Sequence, residues 1–414
     1  MYRLFHLDLG QKSDRNAWYL VLEMFWAAIL ASAALFNAAF ALRLGATNTQ
    51  IGLLTSLPAL LAVIVSIPAG RFLQRKRRHK PWILTALTLA RSGYLLVALL
   101  PWLHLAGMPL GEQVILALIA FTIPVHFFNV GFIPMLAEVI SEERRAAIFS
   151  ARNIAYNASV TVLVFLFGQW LSRVPFPVNY HAMFIFGFAT SMLSLFYLIK
   201  VDVPDFPAIQ PQERPRLSLK EQVRQLRESA ASYPGFFRIT TNTFLHGMGV
   251  WMAAPLYILY FVRNLGASDA WIGLQAMIAS SGIILGYMLW RCILIRWKES
   301  KTLKRTIVCL GLFPVLVGLS PSLTPILLAV ALNNLIVPGV NLSHFNTLLK
   351  VTPPDKRPEY TALYMAFVNI GIFIFPMLGV ALANWLGLRP VLIGCGIFSI
   401  LGSTSFWFRP VVSE

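Results

Sequence analysis

Leu44-Gly45-Ala46-Thr47-Asn48-Thr49-Gln50-Ile51-Gly52-Leu53 returns 221 residues later as Leu265-Gly266-Ala267-Ser268-Asp269-Ala270-Trp271-Ile272-Gly273-Leu274. Six of the ten positions are identical, and each copy opens a long apolar run. At the far end of those runs the basic cluster 71–80 answers the cluster 291–301, with Arg75 opposite Arg296. A second echo sits at an offset of 212 residues. Val139-Ile140-Ser141-Glu142-Glu143-Arg144-Arg145 matches Val351-Thr352-Pro353-Pro354-Asp355-Lys356-Arg357. A chain with echoes at equivalent places is two copies of one structural unit.

Outward from these copies the chain is a succession of apolar runs. A helix crossing the hydrocarbon core of a bilayer needs about 20 apolar residues. Twelve runs are predicted to cross, at 17–42, 49–70, 81–104, 112–138, 147–171, 180–200, 236–262, 270–292, 304–320, 323–349, 359–385 and 389–408. The ninth is the shortest. Pro58, Pro68, Pro124, Pro134, Pro255, Pro338 and Pro376 fall inside runs, which membrane helices tolerate. Hydrophobic residues make up 57% of the chain and charged residues 12%, against about 45–50% and about 25% in soluble domains.

The net charge of +17 does not point to nucleic acid, because the basic residues form short clusters between apolar runs rather than one solvated face. With both termini in the cytoplasm, cytoplasmic segments carry 29 of the 34 Lys and Arg, Arg152 among those between spans four and five. The opposite side holds only Arg43, Arg173, Arg263 and Arg389, and Arg91 falls inside span three. This positive-inside bias fixes the expected orientation and favours an even number of spans. Asp8 and Asp14 interrupt the polar N-terminus, so a cleavable signal peptide is not expected. Cys292, Cys309 and Cys395 lack metal-ligand spacing, so neither a metal nor a cofactor is expected.

Six spans separate the copies, so both begin on the same side. The expected fold is therefore all-α and membrane-embedded, with twelve helices in two parallel six-helix bundles, residues 1–200 and 236–414. Transporters of that design bind substrate near the midplane, at the interface between their halves. Residues 201–235 form the polar connection. Pro204, Pro207, Pro211 and Pro215 keep its start extended. Ser218-Leu219-Lys220-Glu221 reads as a capping box for a short basic amphipathic helix. That helix either lies on anionic membrane lipids or is simply solvated.

The 6+6 layout, the long middle loop and the loop after span two resemble the major facilitator superfamily over essentially the whole chain. The family's loop reads Gly-x-x-x-Asp-Arg-x-Gly-Arg-Arg; here it is Gly70-Arg71-Phe72-Leu73-Gln74-Arg75-Lys76-Arg77-Arg78. Gln74 replaces the family's Asp and Arg77 its second Gly, so the usual gating ion pair cannot form. The resemblance implies gating by Gly70, Arg71, Arg75, Arg77, Arg78, Arg144 and Arg145; Glu138 ends span four facing the Arg-rich loop and is either structural or gating. It also implies a cavity lined by spans one, four, seven and ten. Span five lacks the Gly-Pro motif of proton-driven drug antiporters, its only glycine being Gly168.

Polar residues concentrate on those four spans. Asn37, His126, Asn129, Asn242, His246, Asn333, Asn334, Asn341 and His344 are the candidate substrate-binding residues. Fourteen residues separate Glu23 and Asn37, which places them on one helix face. Asn334 with Asn341, and Asn333 with His344, nearly eclipse in the same way. Each residue also has a plainer reading, a hydrogen bond to a neighbouring helix. Glu23 and Arg91 are charges within spans and so candidates for proton coupling. Their plainer reading is an ion pair that holds helices together. His126 and His246 are further candidates for relaying protons. If one cavity binds the solute, Glu23, Asn129, Asn242 and Asn341 should face it. Trp26, Phe36, Phe127, Phe128, Phe132, Trp251 and Tyr257 add aromatic surface beside the polar face, or serve packing alone.

The expected function is secondary active transport of a small solute by alternating access, coupled to protons and carried out by a monomer. The alternative is a non-transporting sensor or assembly factor on the same fold. No Walker motif or catalytic constellation is present, so an ATP-driven pump and an enzyme are not expected.

Overall fold

The computed structural model describes residues 11–103, 107–140, 142–204, 221, 224, 232–353 and 356–411. The predicted linker helix falls almost wholly outside them. The described chain is helical, with twelve helices long and apolar enough to cross a membrane. Spans one to six are Lys12–Arg43, Asn48–Gln74, Lys80–Leu103, Leu110–Leu136, Ile148–Arg173 and Val178–Lys200. Spans seven to twelve are Pro234–Asn264, Asp269–Arg296, Glu299–Leu319, Leu323–Val351, Glu359–Leu386 and Leu388–Phe408. Each predicted run corresponds to one of them. The ninth begins five residues earlier than expected, because the polar stretch Glu299–Lys304 continues its helix.

The opening repeat has a local cause. Gly45 and Gly266 both take positive φ, 85° and 65°. That turn ends the preceding helix and costs an L side chain about 1–2 kcal/mol. Two residues later each copy caps the next helix. The Gln50 N–H donates to Thr47 Oγ1 at 3.2 Å, and the Thr47 N–H donates to Gln50 Oε1 at 2.8 Å. In the second copy the Trp271 N–H donates to Ser268 Oγ at 3.2 Å.

The chain divides into unit 1, residues 1–211 with 268–277, and unit 2, residues 212–267 with 278–414. Inside unit 1, span one packs on spans five and six, and span three on spans four and six. Inside unit 2, span seven packs on eleven and twelve, and span nine on ten and twelve. The packing thus repeats with the sequence. Small residues allow the closest approaches, as is usual between membrane helices. A Cβ on Gly402 would lie 2.4 Å from the Leu245 carbonyl oxygen, so spans seven and twelve meet backbone to backbone.

One feature does not repeat. Span one is interrupted between its helices Lys12–Ala34 and Asn37–Arg43, and span four between Leu110–Ala120 and Thr122–Val139. The equivalent of the second break, Asn333, lies inside an unbroken helix, whereas span seven passes into a π-helical segment, Tyr260–Asn264, just beyond Leu256–Tyr257, the equivalent of the first. Pro124 accounts for the break in span four, since it offers no N–H to the Ala120 carbonyl. Span one has neither Pro nor Gly near its break. Ser32 Oγ donates back to the Ala28 carbonyl at 2.7 Å, a bond that bends helices.

Candidate functional site

Three buried charges of unit 1 form one cluster. Glu23, Arg91 and Arg152 are each no more than 5% exposed. Arg152 Nη2 donates to Glu23 Oε2 at 3.1 Å, and Ser194 Oγ donates to Glu23 Oε1 at 3.1 Å. Arg91 Nη2 lies 4.0 Å from Glu23 Oε1 and donates to Ser194 Oγ at 2.8 Å. Arg91 also donates to the Ser191 carbonyl. Spans one, three, five and six are thereby tied at one point. Two guanidiniums share one carboxylate, and Arg152 Nη1 is buried without a partner.

Arg152 corrects the sequence reading, which counted it among loop charges. It lies inside the helix Glu142–Arg173, and the run predicted at 147–171 already enclosed it. An Arg within a predicted span was the available signal; its partner on span one could not be read from spacing. For Glu23 and Arg91 the geometry supplies the partners of their plainer reading.

Asn37 stands apart from this cluster. It lies beyond the break after Ala34, whereas Glu23 lies before it. Asn37 Nδ2 donates to Tyr94 Oη at 3.2 Å, while its Oδ1 is buried without a partner. Both residues line an open cavity of about 370 Å³ between spans one to four. His126 Nε2 is also buried without a partner, and Asn129 is exposed.

In unit 2 the histidines organise the polar groups. His246 Nδ1 lies 2.8 Å from Ser403 Oγ and 3.0 Å from Ser399 Oγ. His344 Nε2 lies 2.7 Å from Thr243 Oγ1 and 3.5 Å from Tyr364 Oη. Thr243 and His246 are one turn apart on span seven, so the network joins spans seven, ten, eleven and twelve. Asn242 is fully buried and donates to the Arg409 carbonyl at 3.1 Å. Asn334 donates to Val330 of its own helix at 2.9 Å. Asn333 is half-buried and Asn341 exposed. Asn341 is the repeat equivalent of Asn129, which is exposed too. Within unit 1 Glu23 is buried and Asn129 exposed, and within unit 2 Asn242 is buried and Asn341 exposed. The candidate aromatics largely serve packing: Phe36 is fully buried, Phe128 stacks on Phe132, and Tyr257 packs on Phe313.

Of the expected gating residues, Arg71, Arg75, Arg77, Arg78 and Glu138 are exposed and Gly70 is half-buried. Lys76 lies over the rings of Phe72 and Trp82, at 5.0 and 5.2 Å. The side chains of Arg144 and Arg145 fall outside the described residues.

A second ion pair went unread in the sequence. Arg43 Nη2 lies 2.9 Å from Asp269 Oδ1, and Tyr180 Oη donates to the same oxygen at 2.6 Å. Asp269 is 5% exposed and begins the helix of span eight, where the helix dipole favours a carboxylate. The signal was present: at this position the repeat changes Asn48 into an acid.

The family model of the Major Facilitator Superfamily matches residues 20–242 and 239–414. A protein of Deinococcus radiodurans described as a sugar efflux transporter is 23% identical over 373 residues, covering 88% of this chain and 90% of that protein. Among solved structures, a POT family transporter in complex with 5-aminolevulinic acid superposes with a TM-score of 0.73 at 14% identity, covering 97% of each chain. A nucleoside transporter superposes with a TM-score of 0.69 at 12% identity, covering 95% of this chain and 99% of that one.

Proposed function

The chain belongs to the major facilitator superfamily, and from that premise we propose that it moves a small, hydroxyl-bearing solute by alternating access, coupled to protons. It is an integral, multi-pass membrane transporter and not an enzyme. The observation that carries the finer reading is a buried polar network in each unit, Glu23 with Arg91 and Arg152 in unit 1 and the two histidines with their hydroxyl partners in unit 2. Such groups cost free energy in a membrane interior and mark solute or proton paths by default. The class of solute follows from what the sugar efflux relative and the nucleoside transporter share in their names, a neutral ring bearing hydroxyls.

The proton is assigned to His246 and His344 rather than to Glu23. Protonating Glu23 would remove the carboxylate that serves two buried guanidiniums, whereas each histidine faces neutral hydroxyls that can accept or donate. The termini are placed in the cytoplasm, because the basic clusters gather there. The test is transport into proteoliposomes loaded with a pH dye, with sugars and nucleosides as solutes. A solute-driven pH change is expected in the wild type and is abolished in His246→Gln. If no solute in the panel moves, the transport reading fails. If solute moves without protons, coupling alone fails. A protease-cleavable tag at either terminus should be cut only from the cytoplasmic side of spheroplasts.

A further inference from the structure

The cavity inside unit 1 stands where two helices are interrupted and a third carries a proline. It is lined by Leu35 and Asn37, which flank the break in span one, and by Phe121 and Thr122 at the break in span four. It is also lined by Leu54 and Pro58 of span two, where the proline offers no N–H to the Leu54 carbonyl. Irregular backbone at membrane depth is tolerated only where protein buries it or where it lines a cavity. Discontinuous helices are a recurrent way of building solute sites in transporters. The repeat supplies an internal control. Unit 2 has the same helix packing with span ten unbroken, so the architecture does not require the break in span four.

The polar groups in the cavity define what it would hold. Asn37 Oδ1 is a buried acceptor with no donor. Tyr94 Oη accepts from Asn37, which leaves its own proton free to donate. Thr122 Oγ1 donates to the Ile119 carbonyl at 2.6 Å, which leaves its lone pairs free to accept. No charged side chain lines the cavity, and the remaining surface is aliphatic apart from the Phe121 ring. About 370 Å³ is within the range of small-molecule sites.

We propose that this cavity, lying within unit 1 and lined by spans one to four, binds an uncharged ring of monosaccharide size. The ring donates hydroxyls to Asn37 Oδ1 and Thr122 Oγ1 and accepts from Tyr94. An ionised ring is rejected because nothing in the cavity compensates its charge. The inference rests on the transport reading only in taking this ring for the cargo.

The test is binding of tritiated methyl glucoside to the full-length protein in nanodiscs, with glucuronate as the ionised competitor. Saturable binding that a tenfold excess of glucuronate does not displace is expected. Asn37→Leu and Tyr94→Phe should each weaken binding about tenfold, the scale of one hydrogen bond with its desolvation cost. Ala38→Leu, which fills the cavity without removing a polar group, should abolish binding while the melting temperature stays within a few degrees. Undiminished binding by Asn37→Leu and Ala38→Leu, equal displacement by glucuronate, or no binding by the wild type overturns the inference. So does a co-purifying lipid that Ala38→Leu expels. Uptake of the same glycoside separates the two proposals. Uptake surviving Asn37→Leu removes the cavity's role alone, and binding without uptake removes transport alone.

Discussion

Glu23 serves two arginines and a serine from four different helices, and the arrangement predicts a large asymmetry between single and double substitutions. Arg152→Gln leaves Arg91 and Glu23 repacking around a lost partner, and removal of one member of a buried pair costs about 3–5 kcal/mol. Thermal unfolding in detergent should show that loss. Glu23→Gln with Arg152→Gln should cost clearly less than the two singles added together, since the second change removes a charge that the first left stranded. Additive losses would mean that the pair is not coupled. Two members of this cluster were legible in the sequence, because a charge inside an apolar run is conspicuous. Arg152 was not, because it lies near the start of its run and resembles the last charge of a loop. Contacts across the bundle, at separations such as the 129 residues between Glu23 and Arg152, leave no local periodicity to read.

The elements themselves were mostly legible, since each span is a long run of one hydrophobic character. The echo around Gly45 and Gly266 was visible as identity, and the structure gives its cause in a left-handed turn followed by a cap. Gly266→Ala is expected to lower stability by about 1–2 kcal/mol, read as a lower melting temperature, and Gly45→Ala should do the same. An unchanged melt in both would show that the turn relaxes. The break in span one was illegible because Ala33–Phe36 contains no residue that breaks helices. Spans seven and twelve present the opposite case, a close approach that seats His246 against two hydroxyls. Ser399→Ala with Ser403→Ala removes both and strands the imidazole, at about 1–3 kcal/mol. The pH profile of uptake should move in that variant. A profile that stays put would take the proton away from His246.

For the whole molecule, the repeat of sequence, caps and helix packing reduces twelve helices to one motif used twice, so the differences between copies carry the information. Asp269 is one such difference. Asp269→Asn restores the residue of the first copy and removes the negative charge that faces Arg43 and Tyr180. Stability should fall, and the exchange Arg43→Asp with Asp269→Arg should recover part of it, as differential scanning fluorimetry can show. No recovery would mean that orientation in the helix-end field outweighs the pair.

The Glu23 cluster, finally, is electrically lopsided. With its carboxylate ionised it holds one more positive than negative charge among the described residues, at a depth where the membrane potential drops. Moving one elementary charge through that whole drop is worth about 2.3 kcal/mol per 100 mV. Any step that shifts the cluster along the membrane normal therefore makes the transport cycle responsive to voltage, even for a neutral cargo exchanged without net charge.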